Sequence, residues 1–490
     1  MSDLAAAVRR AASRALDRVG LSSAIVAALE ELGAPAESAA AARRIAEPGS
    51  VVVVAGQQPV LLGGPGLVWA KACDAIALAR AIETEHGVPA VAVFWNASED
   101  HDHAECDHVR MDLGSEVETL RVPLPGDRRM LSRVPVPEAA RDVLDLLRTG
   151  MAPGASRDEI LSSAEPAAGD TMGSWFSRIL LRLLGRHGLV VVEPQTLRRF
   201  AREVVDFEIS RPGELAASVR RAEAAAAALG EPPSLELVRD ELLFFVDAAG
   251  RRLRVARDGG RWSVEDGRAL TSSELRDLPP GAFSWNVAAR VVAQNAALPV
   301  AAQVCGPSEI RYCARLGEAH ELLGIPCPLL VRRSQWTFVT ARASRLCREL
   351  GVDAAAVAEG LDAIDLVTPQ SGVDLAGLRA AVAALPSQGS AAVQRRHAGL
   401  VQGVASYAEA LQRDAAERDS VRLDRRRRAL ALLRPEGEPQ DRRLSPLSFV
   451  ARAGTAFLDE ALRRTSRDIA LHPDGRSYVF NVDERSGATA

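Results

Sequence analysis

A strand, a helix and a second strand follow one another within roughly 45 residues, and that order leaves few folds open. Val51-Val52-Val53-Val54-Ala55 is an unbroken β-branched run, as expected of a strand buried on both faces. It enters a glycine-rich turn, Gly56-Gln57-Gln58-Pro59-Val60-Leu61-Leu62-Gly63-Gly64-Pro65-Gly66. The stretch from about Leu67 to Glu85 reads as a helix, stopped by Gly87 and Pro89. Val91-Ala92-Val93-Phe94-Trp95 is the second strand. The unit is βαβ, so the chain is of the α/β class with a parallel sheet.

Two later segments repeat the strand-to-loop step. Leu189-Val190-Val191-Val192 leads into Glu193-Pro194-Gln195, and Val300-Ala301-Ala302-Gln303-Val304 into Cys305-Gly306-Pro307-Ser308-Glu309 and a helix. In an open parallel sheet such exits lie on the carboxyl edge, where ligands bind. The Gln57–Gly64 loop, the segment after Trp95 and the Gly306–Glu309 turn are therefore expected to share one crevice.

The segment after Trp95 carries the densest chemistry. Glu99-Asp100-His101-Asp102-His103-Ala104-Glu105-Cys106-Asp107-His108 holds three of the chain's 8 histidines and five carboxylates. Imidazoles beside carboxylates can move protons, hold a metal or bind a cationic amine. In an extended chain Glu99, His101 and His103 would point one way, Asp100 and Asp102 the other. The spacing matches neither a helical HExxH motif nor a known zinc pattern, and a structural salt-bridge knot is the plainer alternative.

Of the 60 basic residues only Lys71 is lysine. It lies in the second turn of the first helix, and its side chain should lean toward the helix N-terminus. There the glycine loop, the helix dipole and the ammonium could meet a phosphate or carboxylate. A solvated lysine beside a glycine turn is the alternative. Glu309 suits the start of its own helix, with Tyr312 one turn on.

Composition narrows the partners. A net charge of -4 offers no basic field for nucleic acid. No apolar run reaches a membrane span, and Met1-Ser2-Asp3-Leu4 lacks the build of a secretory signal. The six cysteines form no CxxC pair, which fits a cytoplasmic protein with reduced thiols. Residues 125–175 look loop-rich. A hairpin is expected around Asp247-Ala248-Ala249-Gly250, with a second turn at Asp258-Gly259-Gly260. Leu400, Val404, Tyr407 and Leu411 are spaced 4, 3 and 4 apart, a heptad-like seam, and Leu375, Leu378, Val382 and Leu385 form another upstream. Pro386 and Gly389 separate the two as an antiparallel turn would.

Several of these stretches resemble one known family. Gly56-Gln57-Gln58 with Leu62-Gly63-Gly64-Pro65 and Lys71 is similar to a motif of the bacillithiol-biosynthesis cysteine-adding enzyme family. So are Phe94-Trp95 with Ser98-Glu99-Asp100-His101-Asp102, Glu105 and His108, and Gly306-Pro307-Ser308-Glu309-Ile310 with Tyr312. Leu433-Arg434-Pro435-Glu436-Gly437 with Gln440-Asp441-Arg442 resembles its segment near the C-terminus. The resemblance implies a Rossmann-like core with two connecting insertions, a C-terminal helical coiled coil and a homodimer. On that basis the core covers 1–124, 187–232 and 281–333. The insertions cover 125–186 and 233–280 (the second a small β module), and the helical domain 334–490.

The implied activity is a ligase that joins cysteine to glucosaminyl-malate. Glu99, Asp100, His101 and Asp102 become the candidate catalytic group, with His101 as the base. Gln57, Gln58, Gly63, Gly64, Lys71, Trp95, Ser98, Glu105, His108, Gly306, Glu309 and Tyr312 become candidate substrate contacts. Activation of a carboxylate would call on ATP and Mg²⁺, with the glycine loop and Lys71 holding the phosphates; no resident metal is expected. The rival readings are a metal-dependent hydrolase built on His101, His103 and His108, and a dimeric protein that only binds a metabolite.

Overall fold

The computed structural model describes residues 2–114, 116–151, 153–235, 237, 241–258, 260–360, 375–418, 420–468 and 476–482. Its main sheet has five strands: β1 (Val51–Gln57), β2 (Ala90–Asn96), β3 (Val190–Val192), β4 (Val300–Cys305) and β5 (Leu329–Arg332). They lie in the order β5-β4-β1-β2-β3, and every pairing is parallel. β1 is central, and Val51 to Ala55 are at most 1% exposed, which is why that run needed no polar alternation.

The chain leaves β1 toward β2 and leaves β4 toward β5. The two neighbouring strands thus send their connections in opposite directions, which opens a crevice between their carboxyl ends. Helix α1 (Gly66–His86) follows β1 and ends at Gly87, whose φ of 65° is the left-handed cap that glycine adopts without strain. Helices α2 (Val287–Ala297) and α3 (Pro307–Ala314) flank β4. The helix expected after the third exit is broken: a second piece, Gly317–Leu322, follows α3.

The segment read as loop-rich is about half helical, over Ala139–Gly150, Ala155–Ser163 and the start of Met172–Leu184. Val143, Leu144 and Leu147 form the buried stripe of the first, a 3.6-residue period hidden among charged neighbours. The hairpin expected at Asp247–Gly250 is present. Ala249 and Gly250 both have positive φ, 52° and 82°, as a two-residue primed turn requires. Gly259 of the second turn lies outside the described residues. The module is a five-stranded antiparallel sheet that also takes in Phe283–Trp285, beyond the boundary drawn at 280. Phe283 meets Phe244 edge-on at 5.6 Å, so packing carries the module past residue 280.

The chain divides into two compact units, residues 1–338 with 441–490, and residues 339–440. The segment drawn as one helical domain over 334–490 therefore contributes to both. In the first unit Gln335–Val339 pairs with Ser477–Asn481, and Trp336, Phe338, Phe449, Phe457 and Phe480 form an aromatic cluster. The second unit holds helices Ala341–Leu350, Ala354–Glu359, Leu375–Ala383, Ala391–Arg418 and Ser420–Leu433. Leu375–Ala383 packs on Ala391–Arg418, with Pro386 and Gly389 in the connection. Leu400 and Tyr407 of the expected seam are 51% and 57% exposed.

Candidate active site

Lys71 is the hub of the crevice. It is 1% exposed, which rules out a solvated lysine. Its ammonium donates to the Gly56 carbonyl at 2.9 Å and to Gln57 Oε1 at 2.9 Å, and pairs with Glu309 Oε2 at 2.5 Å. An ammonium has three N–H donors, and here three acceptors take them. Glu309 Oε2 also accepts from the Gly306 N–H at 2.6 Å, fixing the turn that opens α3. One charge pair, buried at its Lys71 end, therefore joins the β1 exit to the β4 exit.

This geometry corrects the phosphate site expected on the glycine loop. Lys71 points at the sheet edge and has no donor left for an anion. The start of α1 is covered: the Gly66 N–H donates to the Leu444 carbonyl at 2.8 Å. A Cβ on Gly66 would stand 3.0 Å from Asp441 Cβ, so glycine is needed there to admit the Asp441–Leu444 segment rather than a ligand. Gly63 and Gly64 are buried as well. Gly63 sits against Ile179 and Trp69, and its carbonyl accepts from Trp69 Nε1 at 3.1 Å. The Asp441 carboxylate is committed to Arg333 and to the Trp336 N–H.

The acidic cluster is curled, not extended. Asp100 Oδ1 accepts the N–H groups of His101 at 2.7 Å and Asp102 at 3.1 Å, which turns the backbone and defeats the alternation argument. Asp100 Oδ2 accepts from Gln58 Nε2 at 2.6 Å, so the second segment is tied to the first loop. Burial raises the Asp100 carboxyl, but the bonds from Gln58, Asp102 and His101 outweigh it and hold the group ionised below its ordinary value. Glu99 turns inward to Arg198 Nε at 2.6 Å, and its burial pushes its carboxyl up despite that partner.

His101 is half-buried beside these carboxylates. Burial, helped by the nearby Arg252 and Arg128 charges, lowers its pKa, so the imidazole is neutral at neutral pH. Nε2 faces an Arg128 N–H at 3.4 Å, and Nδ1 is buried with no hydrogen-bond partner. Asp102 is exposed nearby.

The rest of the cluster is structural. His103 is 6% exposed; its Nε2 meets the Arg129 carbonyl at 2.7 Å and its Nδ1 accepts from the Gly126 N–H at 3.0 Å. Both nitrogens are thus in use. His108 opens the His108–Asp112 strand and bonds Asp107 Oδ1 at 2.8 Å. Among the described residues no group of three His, Cys, Asp or Glu side chains is placed to hold a metal, so the three histidines of the hydrolase reading do not form one. Glu105 is exposed and takes a second bond from Gln58 at 3.1 Å. Ser98 is buried and donates to Glu193 Oε2 at 2.6 Å, locking the β2 exit to the β3 exit. Trp95 is fully buried, its Nε1 unpartnered.

The cations were not legible in sequence. Arg198 binds Glu99 and, at 3.1 Å, Asp247. Arg252, from the small β module, donates to the Glu99 carbonyl at 3.3 Å, to Ser284 Oγ at 3.2 Å and to the Trp285 carbonyl, and stacks on Phe245. Arg290, on α2, donates to Tyr312 Oη at 3.0 Å. In a chain whose basic residues are nearly all arginine, none stands out locally, and only the fold brings them to the crevice.

Comparisons with known proteins agree with this architecture. The model of the "Bacillithiol biosynthesis BshC, N-terminal Rossmann-like domain" family matches residues 2–334. A protein of Thermus thermophilus named "Putative cysteine ligase BshC" is 32% identical over 476 residues, covering 94% of this chain and 88% of its own length. One of the same name from Geobacillus thermodenitrificans is 30% identical over 479 residues, covering 91% of this chain and 88% of its own. Among the described residues no helix is long and apolar enough to cross a membrane. With the family model matched across the whole parallel sheet and relatives alike over nearly the full chain, this protein belongs to the BshC family of bacillithiol biosynthesis.

Proposed function

We propose that the chain is a ligase that forms the amide bond between the cysteine carboxyl and the amine of glucosaminyl-malate. One observation carries the reading. Gln57, Gln58, Lys71, Asp100 and Glu309, from three separated strand exits, form one hydrogen-bonded network with a neutral imidazole at its edge. The names of the relatives supply cysteine as a substrate, and the family resemblance of the motifs supplies glucosaminyl-malate.

In this reading the amine attacks the activated cysteine carboxyl carbon, the activating phosphate or adenylate leaves as the C–N bond forms, and His101 accepts the proton that the amine loses. A neutral imidazole held beside ionised Asp100 suits that step, since the imidazolium it becomes gains a counter-charge. Asp100 orients the turn that carries His101 through two backbone N–H bonds. Lys71 and Glu309 position the two loops and do not touch substrate. Amide formation from a free carboxylate requires activation, and ATP with Mg²⁺ is the activating pair we propose. Lys71 and the glycine loop, the residues first assigned to its phosphates, are already committed within the chain.

The exposed apolar stripe of Ala391–Arg418 is the proposed dimer contact, through Leu400, Val404, Tyr407 and Leu411. Sedimentation velocity at micromolar concentration is expected to show a dimer; a species of 52.2 kDa alone overturns it.

The activity is tested by mass spectrometry of the thiol formed from cysteine, glucosaminyl-malate and ATP. Product at the mass of the cysteinyl amide is expected. Its absence with folded protein, across added divalent metals, overturns the ligase reading.

A further inference from the structure

The cations of the crevice are not all paired by direct contact. Lys71 is paired with Glu309, and Arg198 with Glu99 and Asp247. Arg252 and Arg290 form no ion pair with a described residue. Arg252 spends its donors on two carbonyls and a hydroxyl. Arg290 makes a single hydrogen bond, to Tyr312, which leaves four of the five guanidinium N–H groups open. The two guanidinium groups lie within electrostatic reach of each other, and the Arg290 charge adds to the burial that disfavours the Arg252 cation. Glu309 is close enough to Arg290 to act on it, but its carboxylate is already held by Lys71 and the Gly306 N–H.

Neither guanidinium touches a carboxylate directly, although Glu99 and Asp100 act on Arg252 and Glu309 on Arg290, and an anion placed at Arg290's open donors gains charged hydrogen bonds that the chain itself does not supply. The planar fork favours a carboxylate, which it grips with two parallel bonds. Tyr312 adds to the site. Burial holds its phenol above the ordinary range, so it stays neutral, accepts from Arg290 and keeps its O–H free to donate.

We propose that Arg290, with Tyr312 and the field of Arg252, is the anchor for the dicarboxylate end of the amine substrate and sets specificity for a malate-type aglycone. The assignment rests on the ligase reading for its substrate but on Arg290's open donors for its location. It gives the two sides of the crevice separate tasks. The aglycone is gripped by the arginines of the inserted module and α2, while the amine is presented to His101.

The test uses full-length protein and two independent readouts. Isothermal titration with L-malate measures the anchor without catalysis. Binding to wild type is expected, weakened about tenfold or more in Arg290→Met, as removal of a charged hydrogen-bond pair implies. Arg290→Lys, which keeps charge but loses the fork, is expected to fall between. Steady-state kinetics then compares glucosaminyl-malate with methyl glucosaminide, which lacks both carboxylates. Arg290→Met should raise KM for the first far more than for the second, with the loss in KM exceeding the loss in kcat.

Undetectable malate binding to wild type overturns the proposal, as does equal malate binding by folded wild type and both variants. A variant that weakens cysteine but not malate also overturns it, by moving the carboxylate to the other substrate. If no thiol product forms with any protein but malate binding depends on Arg290, the ligase reading fails and the anchor stands.

Discussion

The two sides of the crevice treat buried charge differently. On the β1–β4 side every charged group is answered within the chain: Lys71 by three acceptors, Glu309 by an ammonium and a backbone N–H. On the side built by the inserted β module and α2, charges stay partly unanswered. Arg290 has one hydrogen bond, and Glu208, on the adjacent Arg202–Ser210 helix, is 1% exposed with one oxygen unpartnered. A satisfied buried charge fixes geometry. An unsatisfied one stores interaction energy that a ligand or a proton can release. The first side reads as scaffold and the second as the surface that responds.

The catalytic edge between the two sides gives the largest expected effect. His101→Ala should lower kcat by about 10²–10⁴-fold, the usual worth of a general base. Because burial depresses its pKa, the base stays neutral below the ordinary imidazole value of 6.5, so the acid limb of the wild-type kcat/KM profile should lie under pH 6.5. His103→Ala, at a ring with both nitrogens committed to backbone, should instead lose stability with a much smaller change in kcat. Equal kcat losses in the two variants would erase the distinction between a working and a structural histidine.

Lys71 tests the scaffold side. Lys71→Met leaves the partly buried Glu309 carboxylate without its cation, and breaking such a pair is expected to cost about 3 kcal/mol, the low end for a fully buried pair. Urea titration should show that loss. A variant of wild-type stability that binds anionic substrate weakly would put Lys71 back in contact with ligand and break the comparison.

Glu208 tests the responsive side with a smaller effect. Burial pushes its carboxyl to about 7, above the 4.5 of an ordinary glutamate, and its only hydrogen bond, from the Gly213 N–H at 3.3 Å, opposes that weakly. The folded state therefore holds the proton more tightly than the unfolded chain. The stability this contributes is complete below about pH 4.5 and is lost as pH rises through 7. Glu208→Gln carries no such charge and should exceed wild type by about 3 kcal/mol at pH 9, with the gain vanishing at pH 4. A gain of equal size at both pH values would show that packing, not ionisation, is responsible.

Much of the fold was legible because it depends on local pattern. The valine runs at 51–54 and 190–192, the helix between Gly66 and Gly87, and the Ala249-Gly250 turn follow from β-branching, period and positive φ. Among the helices over 139–184, Ala139–Gly150 and Met172–Leu184 carry a clear 3.6-residue period that the loop residues around them obscured, and only Ala155–Ser163 lacks one. The convergence of three strand exits was also readable, since parallel strands place their exits on one edge whatever separates them in sequence.

Roles within the crevice were a different matter. A helix position predicts that Lys71 leans toward the N-terminus, but not that Asp441 and Leu444, hundreds of residues away, already cover that end. Alternation predicted opposite faces for Glu99 and Asp100, yet the Asp100 side chain bends its own backbone. Arg198, Arg252 and Arg290 carry no local mark at all. The sequence by itself determined the elements, their parallel order and the edge on which chemistry gathers, because these arise from neighbours within a few residues. The tertiary structure alone decided which charges are satisfied and which are left open. Satisfaction is a count of partners brought together by the fold, and those partners come from every part of the first compact unit.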